Sequence, residues 1–187
     1  DQFIDRTIQR DQSFFGPGLV AHVSMAHPVC ARLGSALAVA ARSVDVTVVR
    51  GGTYLAMEGP HFSSLAESEL YRTWGCDVIG MTNMPEAKLA REAEICYATV
   101  AMVTDYDCWH PDHDYVQVAD IIRVLTANAD HVRALVRAAA LDLGNRPPVC
   151  PAGCDHALET AIITAPEARD PAMAAKLDAV AGRVLNS

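Results

Sequence analysis

The amino-acid sequence predicts a three-layer α/β fold with a mixed central sheet, and two observations lead to this class. Strand-like and helix-like segments alternate along the chain, as they do in α/β domains. One apolar run, residues 95–103, is nearly continuous, which suits a strand covered by helices on both faces. The 187 residues are enough for a substantial core, so we expect residues 1–187 to form a single domain.

The first predicted elements are one helix and two strands. Residues 28–43 carry apolar residues and alanines at helical spacing after a proline, which predicts a helix. Residues 44–50 and 53–57 are typical of strands, and the Gly51-Gly52 turn separates them.

A second helix is predicted from Ser64, because Ser64 and Glu67 have the spacing of a capping box. We expect Leu70 and Trp74 to face inward from this helix. Gly75 suits the left-handed residue that ends many helices. Residues 77–81 then predict a short buried strand.

The remaining elements continue the alternation. Residues 85–94 predict a helix that starts at a proline, and the apolar run 95–103 predicts the strand after it. Residues 115–143 show one long helical pattern, which ends at Gly144 before two prolines at 147 and 148. A last helix is predicted from Asp170-Pro171, where aspartate caps and proline occupies the first turn.

Composition excludes several classes of protein. Hydrophobic residues make up 51% of the chain and charged residues 20%, which is the profile of a compact protein rather than a disordered one. The net charge is −8 without a basic run, so nucleic acid is not an expected partner. Charges or glycines interrupt every apolar segment before it reaches membrane-spanning length, so no membrane partner is expected.

The six cysteines are spread through apolar surroundings, which favours reduced thiols in a cytoplasmic protein over a disulfide framework. Cys150 and Cys154, in the sequence C-P-A-G-C, are the one closely spaced pair.

Two predicted strands end in polar loops. Residues 81–83 follow the first, and residues 104–107 follow the second. Ligands of α/β proteins bind just beyond the carboxyl ends of the strands, so these loops together predict a site. The second loop lies within residues 102–115, which we call the acidic loop. These residues include four aspartates, two histidines, a cysteine and a tryptophan.

The acidic loop is open to more than one interpretation. A metal site could use Cys108, His110 and His113, but closed zinc sites take ligand pairs from two segments. Only His61 or Cys76 could supply the second segment, so we do not expect a metal here. Residues 112–114 are better explained as a solvated loop before the following helix.

Asp105 has a different setting, because a single threonine separates it from the apolar run. We therefore expect this carboxyl to be partly buried at the edge of the sheet. Partial burial raises the pKa of a carboxyl above its ordinary value, which would make Asp105 a proton donor near neutrality. The alternative is an aspartate that only accepts hydrogen bonds from backbone amides in a turn.

Several long motifs resemble the methylthioadenosine phosphorylase branch of the trimeric purine nucleoside phosphorylase family. They occur in the order expected of that family and cover residues 1 to about 143. The motifs are D-Q-F-I-D-R-T from Asp1, E-G-P-H-F-S-S-L-A-E-S from Glu58, R-T-W-G from Arg72, M-T-N-M-P-E from Met81 and A-M-V-T-D-Y-D-C-W from Ala101.

The resemblance implies a phosphorylase-like fold and a pentosyltransferase, which would convert methylthioadenosine and phosphate to adenine and 5-methylthioribose 1-phosphate in purine and methionine salvage. It implies that Asp105 protonates N7 of the departing purine and that Asp107 holds the amino edge. Protonation neutralises the charge that collects on the purine as the C–N bond breaks. An aspartate at 105, where related 6-oxopurine enzymes have asparagine, favours a 6-aminopurine. Ser63 lies in the base-binding segment.

Further site residues come from the same resemblance. Phe62 would pack on the base or sugar, Met81 would lie beneath the ribose, and Thr82 would reach phosphate and sugar. His22 would approach the methylthio end from an adjacent subunit of a homotrimer. The remaining implied substrate-binding residues are Ile79, Val118, Ile121 and Ile122, the last three suiting an apolar S-methyl group as well as ordinary core packing.

The sequence departs from the family at three places. His61 stands where better-known members have arginine, and Asn83-Met84 replaces a Thr-Val pair. The family's phosphate-binding segments would lie upstream of Asp1, so we expect this chain to be the carboxy-terminal part of a longer domain. No metal or organic cofactor is implied, and phosphate is a co-substrate. The alternatives are a 6-oxopurine nucleoside or methylthioinosine phosphorylase, and a metal-binding or structural subunit.

Overall fold

Three parallel strands form the sheet of the computed structural model, which describes residues 1–44, 47–110, 118–144 and 149–187. The strands are β1 (Gln2–Arg6), β2 (Thr53–Met57) and β3 (Val78–Gly80), in that spatial order. The α/β class predicted from the sequence is confirmed. All the strands in the described residues run parallel, so the antiparallel strand that a mixed sheet requires is not among them. The sequence patterns had assigned no strand to residues 2–6.

Six α-helices surround or follow the sheet within the described residues. They are α1 (Ala31–Ser43), α2 (Leu65–Thr73), α3 (Glu86–Glu92), α4 (Val118–Leu143), α5 (Pro171–Lys176) and α6 (Asp178–Leu185). Short 3₁₀ turns occupy Cys154–His156 and Pro166–Ala168. No helix in these ranges is long and apolar enough to cross a membrane.

Local capping signals set the helix ends as the sequence predicted. The Ser64 hydroxyl accepts from the Glu67 N–H at 3.3 Å, and the Glu67 carboxylate accepts from the Ser64 N–H at 2.8 Å. Gly75 follows α2 with φ +76°, in the left-handed region that glycine tolerates best. The Asp170 carboxylate accepts from the Met173 N–H at 2.7 Å and caps α5. These predictions are confirmed because they depend on neighbours in sequence.

The predicted strand over residues 44–50 is not observed in the described part of that range. Val44 lies in a turn after α1, and residues 47–50 have no regular secondary structure, while residues 45 and 46 lie outside the described part of the chain. Val48 and Val49 expose 44% and 91% of their surface. Alternating apolar residues become a strand only when another strand accepts their backbone hydrogen bonds.

The apolar run 95–103 is not a strand either. Ile95 and Val103 are 57% and 63% exposed, so the predicted burial on both faces is wrong. Contacts outside any ladder hold the segment instead. The Tyr97 carbonyl accepts from the Cys30 N–H at 2.7 Å, and the Thr99 hydroxyl donates to Asn83 Oδ1 at 3.0 Å. Hydrophobicity alone could not distinguish this arrangement from a sheet strand.

Three smaller predictions also need correction. Leu70 and Trp74 of α2 are 46% and 45% exposed, because the helix buries the face with Ser68 and Tyr71. The helix predicted over 85–94 ends at Glu92. The strand within 77–81 is half-buried rather than buried, since one of its faces opens to a cleft. The predicted start at Tyr115 and the prolines 147 and 148 lie outside the described residues.

The largest buried cluster joins the loop after β1 to the carboxy-terminal helices. Phe15 and Leu19 pack there against Leu158, Leu177 and Ala181. A second cluster covers the sheet near Ala56, and α1 packs against α4.

Candidate active site

A cleft of about 750 Å³ lies beyond the carboxyl ends of β2 and β3. Parallel strands end at the same edge, so the loops after them meet there. Side chains from both strand ends, from the acidic loop and from α4 line it. The lining includes Tyr54, Phe62, Ser63, Ser68, Arg72, Ile79, Met81, Thr82, Asn83, Thr104, Asp105, Tyr106, Asp107, Trp109, Ile121 and Leu125. The two loops predicted to act together therefore do meet.

The strand ends form the apolar and hydroxyl side of the cleft. Phe62 is 51% exposed and faces open space, as a side chain available for stacking would. The Thr82 hydroxyl lies 3.2 Å from the Tyr54 hydroxyl. Gly80 allows this approach, because a Cβ at that position would lie 2.0 Å from the Tyr54 oxygen. The end of β3 thus presents Thr82 in a defined position.

Asn83, which departs from the family pattern, anchors the loop after β3. Its backbone has φ +70°, a conformation that asparagine tolerates better than threonine. The buried amide oxygen accepts from the Tyr97 hydroxyl at 2.9 Å and from the Thr99 hydroxyl at 3.0 Å. Asn83 therefore ties the β3 loop to the segment that leads into the acidic loop.

Asp105 lines the cleft but is exposed, so the predicted partial burial is wrong. The reason is that the preceding segment does not enter the sheet and leaves Val103 and Asp105 open to water. The carboxylate is nevertheless held in place. Its Oδ2 accepts from the Thr104 hydroxyl at 2.6 Å, and its Oδ1 accepts from the Asp107 N–H at 2.9 Å.

Asp107 is fixed by a residue that the sequence analysis did not identify. The buried Ser68 hydroxyl, on α2, donates to Asp107 Oδ2 at 2.6 Å. Asp107 adopts φ +61°, which turns the chain so that its N–H reaches Asp105. One signal was available: Ser68 lies one helical turn after the Ser64 cap. The two carboxylates and Ser68 form a single hydrogen-bonded unit.

Aromatic rings and a cation close the outer part of the loop. The Arg72 guanidinium lies 3.8 Å from the centre of the Trp109 ring. Tyr106 contacts Trp109 and His110, with ring centres 6.1 Å and 4.8 Å apart. These contacts orient the segment that carries the two aspartates.

The Cys108 thiol lies close to the Ser63 carbonyl and to the Asp107 carboxylate. Its Sγ donates to the Ser63 carbonyl at 3.6 Å. Burial, followed by the nearby Asp107 carboxylate, raises the pKa of this thiol.

The predicted apolar residues of α4 are only partly in the cleft. Ile121 lines it, together with Leu125 one turn later, whereas Val118 and Ile122 do not and are 60% and 57% exposed. His22 is also exposed and lies outside the cleft, in a segment where its N–H donates to the Ala161 carbonyl at 2.8 Å.

Arg10 is a second positioning residue that the sequence patterns missed. Its guanidinium donates to the carbonyls of Glu58, Met81 and Met84, at 2.8, 3.0 and 2.6 Å. These carbonyls follow β2 and β3, so one side chain joins both loops beneath the cleft. A lone arginine after the first motif carried no pattern that would have revealed this role.

The metal interpretation of the acidic loop gains no support. Among the residues that the structure describes, His61, Cys76, Cys108 and His110 do not form a group able to hold an ion. His113, with residues 112 and 114, lies outside those ranges. The group that does have suitable geometry consists of cysteines elsewhere in the molecule.

Comparisons with known proteins agree on one family. The sequence model described as the phosphorylase superfamily matches residues 1–141. The chain is 68% identical over 185 residues to the S-methyl-5′-thioadenosine phosphorylase of Bradyrhizobium diazoefficiens, covering 99% of this chain and 64% of that protein. It is 65% identical to the enzyme of the same name from Cereibacter sphaeroides, with the same coverage. The chain thus spans just under two thirds of the length of these relatives.

Solved structures show the same likeness. A methylthioadenosine phosphorylase from an antarctic soil metagenomic library superposes with a TM-score of 0.87 at 44% identity, covering 96% of this chain and 63% of the other. The Schistosoma mansoni methylthioadenosine phosphorylase in complex with adenine superposes with a TM-score of 0.71 at 32% identity, covering 78% and 58%.

Proposed function

Because the chain belongs to the phosphorylase superfamily, we propose that it is the purine-binding part of an enzyme that phosphorolyses methylthioadenosine. The products are adenine and 5-methylthioribose 1-phosphate. The two relatives with 68% and 65% identity are named S-methyl-5′-thioadenosine phosphorylase, which supports methylthioadenosine as the substrate. The observation that carries the proposal is the hydrogen-bonded pair Asp105 and Asp107 at the mouth of a cleft large enough for a nucleoside.

The proposed chemistry uses the two aspartates in different roles. A phosphate oxygen attacks C1′ of the ribose, the C1′–N9 bond breaks, and its electron pair moves into the purine. Asp105 donates a proton to N7 and so neutralises the departing base. Asp107 accepts a hydrogen bond from the exocyclic amine.

The lining of the cleft supports roles for the neighbouring residues. Phe62 would stack on the base or sugar, and Met81 would pack beneath the ribose. Thr82, held near Tyr54, would contact the sugar and phosphate. Ser63 and Ile79 would contact the base. Ile121, which lines the cleft, would contact the methylthio group, while Val118 and Ile122 would need another subunit or a shift of the helix.

Assembly into a homotrimer is part of the proposal. Leu65 and Leu70 of α2, together with Trp74 directly after it and Phe62 before it, expose between 45% and 52% of their surface. Exposed apolar patches of this kind are typical of subunit contacts. His22 would then reach the methylthio group of a neighbouring subunit's substrate. Light scattering coupled to gel filtration should give the mass of three chains.

We place the enzyme in the cytoplasm, where its unpaired cysteines stay reduced.

One assay tests the reaction. The protein is incubated with methylthioadenosine, with and without phosphate, and adenine is quantified by chromatography. We expect adenine only when phosphate is present, because phosphate is the nucleophile. Phosphate-independent release would indicate a hydrolase, and faster turnover of inosine or methylthioinosine would favour the 6-oxopurine alternative.

Binding of adenine tests the purine half of the site separately. Calorimetry should detect adenine binding to the protein, and hypoxanthine should bind more weakly, because mispairing one polar edge costs about 1–3 kcal/mol. Equal binding of the two bases would contradict the roles of Asp105 and Asp107. Adenine binding by this chain, with no turnover of methylthioadenosine by the full-length enzyme in phosphate, would contradict phosphorolysis.

A further inference from the structure

Four cysteines that are far apart in the sequence meet in the structure. Cys30 precedes α1, Cys96 follows α3, and Cys150 and Cys154 belong to the carboxy-terminal segment. Their four Sγ atoms all lie within 4.8 Å of one another, and Cys30 Sγ is 3.7 Å from Cys150 Sγ. We call these residues the four-cysteine cluster.

The spacing of the sulfur atoms fits a single tetrahedral metal ion. With Zn–S bonds of about 2.3 Å, the sulfurs of a tetrahedral zinc site lie about 3.8 Å apart. The Cys30–Cys150 distance already has this value. A disulfide requires about 2.0 Å, so pairing would demand a larger movement than closing around one ion.

The loop between Cys150 and Cys154 has features of a metal-binding turn. The pair is separated by three residues, within the ligand spacing found in structural zinc sites. Gly153 adopts φ +67° and donates its N–H to the Cys150 carbonyl at 2.9 Å. The Asp155 carboxylate fixes the other end of the loop by accepting from the Cys150 N–H at 2.9 Å. Both thiols therefore point in one direction.

The surroundings of the four-cysteine cluster suit thiolate groups. Cys30, Cys150 and Cys154 expose at most 3% of their surface. Arg32 donates to Cys96 Sγ at 3.4 Å, and Arg91 donates to Cys154 Sγ at 3.7 Å. A cluster of neutral thiols would not need two guanidinium groups, whereas thiolates in a dry site would.

We propose that the four-cysteine cluster binds one zinc ion. The four thiols bind as thiolates and release their protons to solvent, so the centre carries a net charge of −2, which Arg32 and Arg91 offset. All four coordination positions come from the protein, so the site is structural rather than catalytic. It joins the carboxy-terminal segment to α1 and to Cys96, at the start of the segment that leads into the acidic loop.

Metal analysis of the purified protein tests the site. The protein is prepared with a non-thiol reductant, gel-filtered and analysed by inductively coupled plasma mass spectrometry. We expect about one zinc per chain in the wild type and almost none in the double variant Cys150→Ser, Cys154→Ser. The variant Cys76→Ser, which removes a thiol outside the cluster, is the matched control and should retain the zinc.

A second measurement does not depend on how the variants fold. Metal is removed from the wild-type protein with a chelator, and Co²⁺ is added in steps. We expect the absorption bands of tetrahedral cobalt thiolate to saturate at one ion per chain and to disappear when Zn²⁺ is added. Absence of these bands overturns the proposal, as do two disulfides in the mass of the unreduced protein, or iron in place of zinc.

Discussion

The acidic loop and the four-cysteine cluster gather reactive side chains in opposite ways. The acidic loop concentrates them within a few residues of sequence, yet the structure leaves Asp105 exposed and held by short-range hydrogen bonds. The cluster draws single cysteines from positions 30 to 154 into a buried site. A high density of reactive residues in one stretch of sequence therefore reveals the solvent-facing site. The buried cysteine site cannot be found in this way, because it forms only when distant segments fold together. The loop is suited to a ligand that enters and leaves, and the cluster to one that stays.

The largest expected effect comes from removing the proposed acid of the loop. Asp105→Ala should lower the rate of adenine release by about 10²–10⁴, the usual contribution of a positioned proton donor. The measurement is kcat with methylthioadenosine at saturating phosphate. Asp142→Ala removes an exposed carboxylate from α4 and serves as control. Near-normal turnover of Asp105→Ala would show that the loop's carboxylate is only structural.

The cluster should respond to a chelator and the loop should not. Zinc removal deletes a link between distant segments, so we expect the melting temperature to fall on the order of 10 °C, at about 2–4 °C for each kcal/mol lost. Scanning calorimetry with and without chelator measures the shift. The same chelator should leave the melting temperature of the Cys150→Ser, Cys154→Ser variant unchanged. An equal shift in that variant would place the effect elsewhere.

Ser68→Ala tests whether the hydrogen bond from Ser68 to Asp107 positions the acidic loop for adenine binding. The substitution removes the 2.6 Å hydrogen bond to the Asp107 carboxylate. A hydrogen bond to a charged group contributes about 1.5–3 kcal/mol, so adenine affinity should fall about tenfold or more. Calorimetric titration gives the value, and Ser68→Thr, which keeps a hydroxyl, should recover part of it. If Ser68→Ala lowered the unfolding free energy without changing adenine affinity, Ser68 would be a stabilising residue only.

The smallest effect concerns an ion pair that holds the carboxy-terminal segment beside the cluster. Glu94 accepts from Arg183 at 2.6 Å and from the Leu158 N–H at 2.9 Å. Burial would raise the pKa of Glu94, but these donors outweigh it and lower the pKa below its ordinary 4.5. The pair therefore stabilises the fold above that value, and the contribution is lost as pH falls through the lowered pKa.

Glu94→Gln should accordingly cost on the order of 1 kcal/mol at neutral pH and progressively less below pH about 4.5. Urea unfolding of both proteins across this range measures the difference. Glu159→Gln, which alters an exposed carboxylate near the same arginine, should show a weaker dependence. A Glu94→Gln deficit that grows as pH falls would reverse the assigned sign.

Local sequence determined much of the fold. The α/β class, β2, the capping box of α2, the end of α2 at Gly75 and the start of α5 at Asp170 depend on residues a few positions apart, and each is confirmed. The family resemblance likewise identified Phe62, Met81, Thr82, Asp105 and Asp107 as cleft residues, and all five line the cleft. Contacts within one helical turn or one motif can be predicted from the sequence, because the residues that make them are close neighbours along the chain.

Tertiary structure alone decided the rest, because it sets which segments find a partner. Residues 47–50 and 95–103 have strand-like sequences but pair with no strand among the described residues, and Asp105, which follows the second segment, stays exposed. Arg10 contacts residues that lie 48 to 74 positions later in the sequence, and Ser68 contacts a residue 39 positions later. No local pattern encodes contacts over such separations. Taken singly, the four cysteines are ordinary thiols, of which Cys30, Cys150 and Cys154 are buried and Cys96 is half-buried. Only the folding of distant segments onto one another brings their sulfur atoms within reach of a single ion.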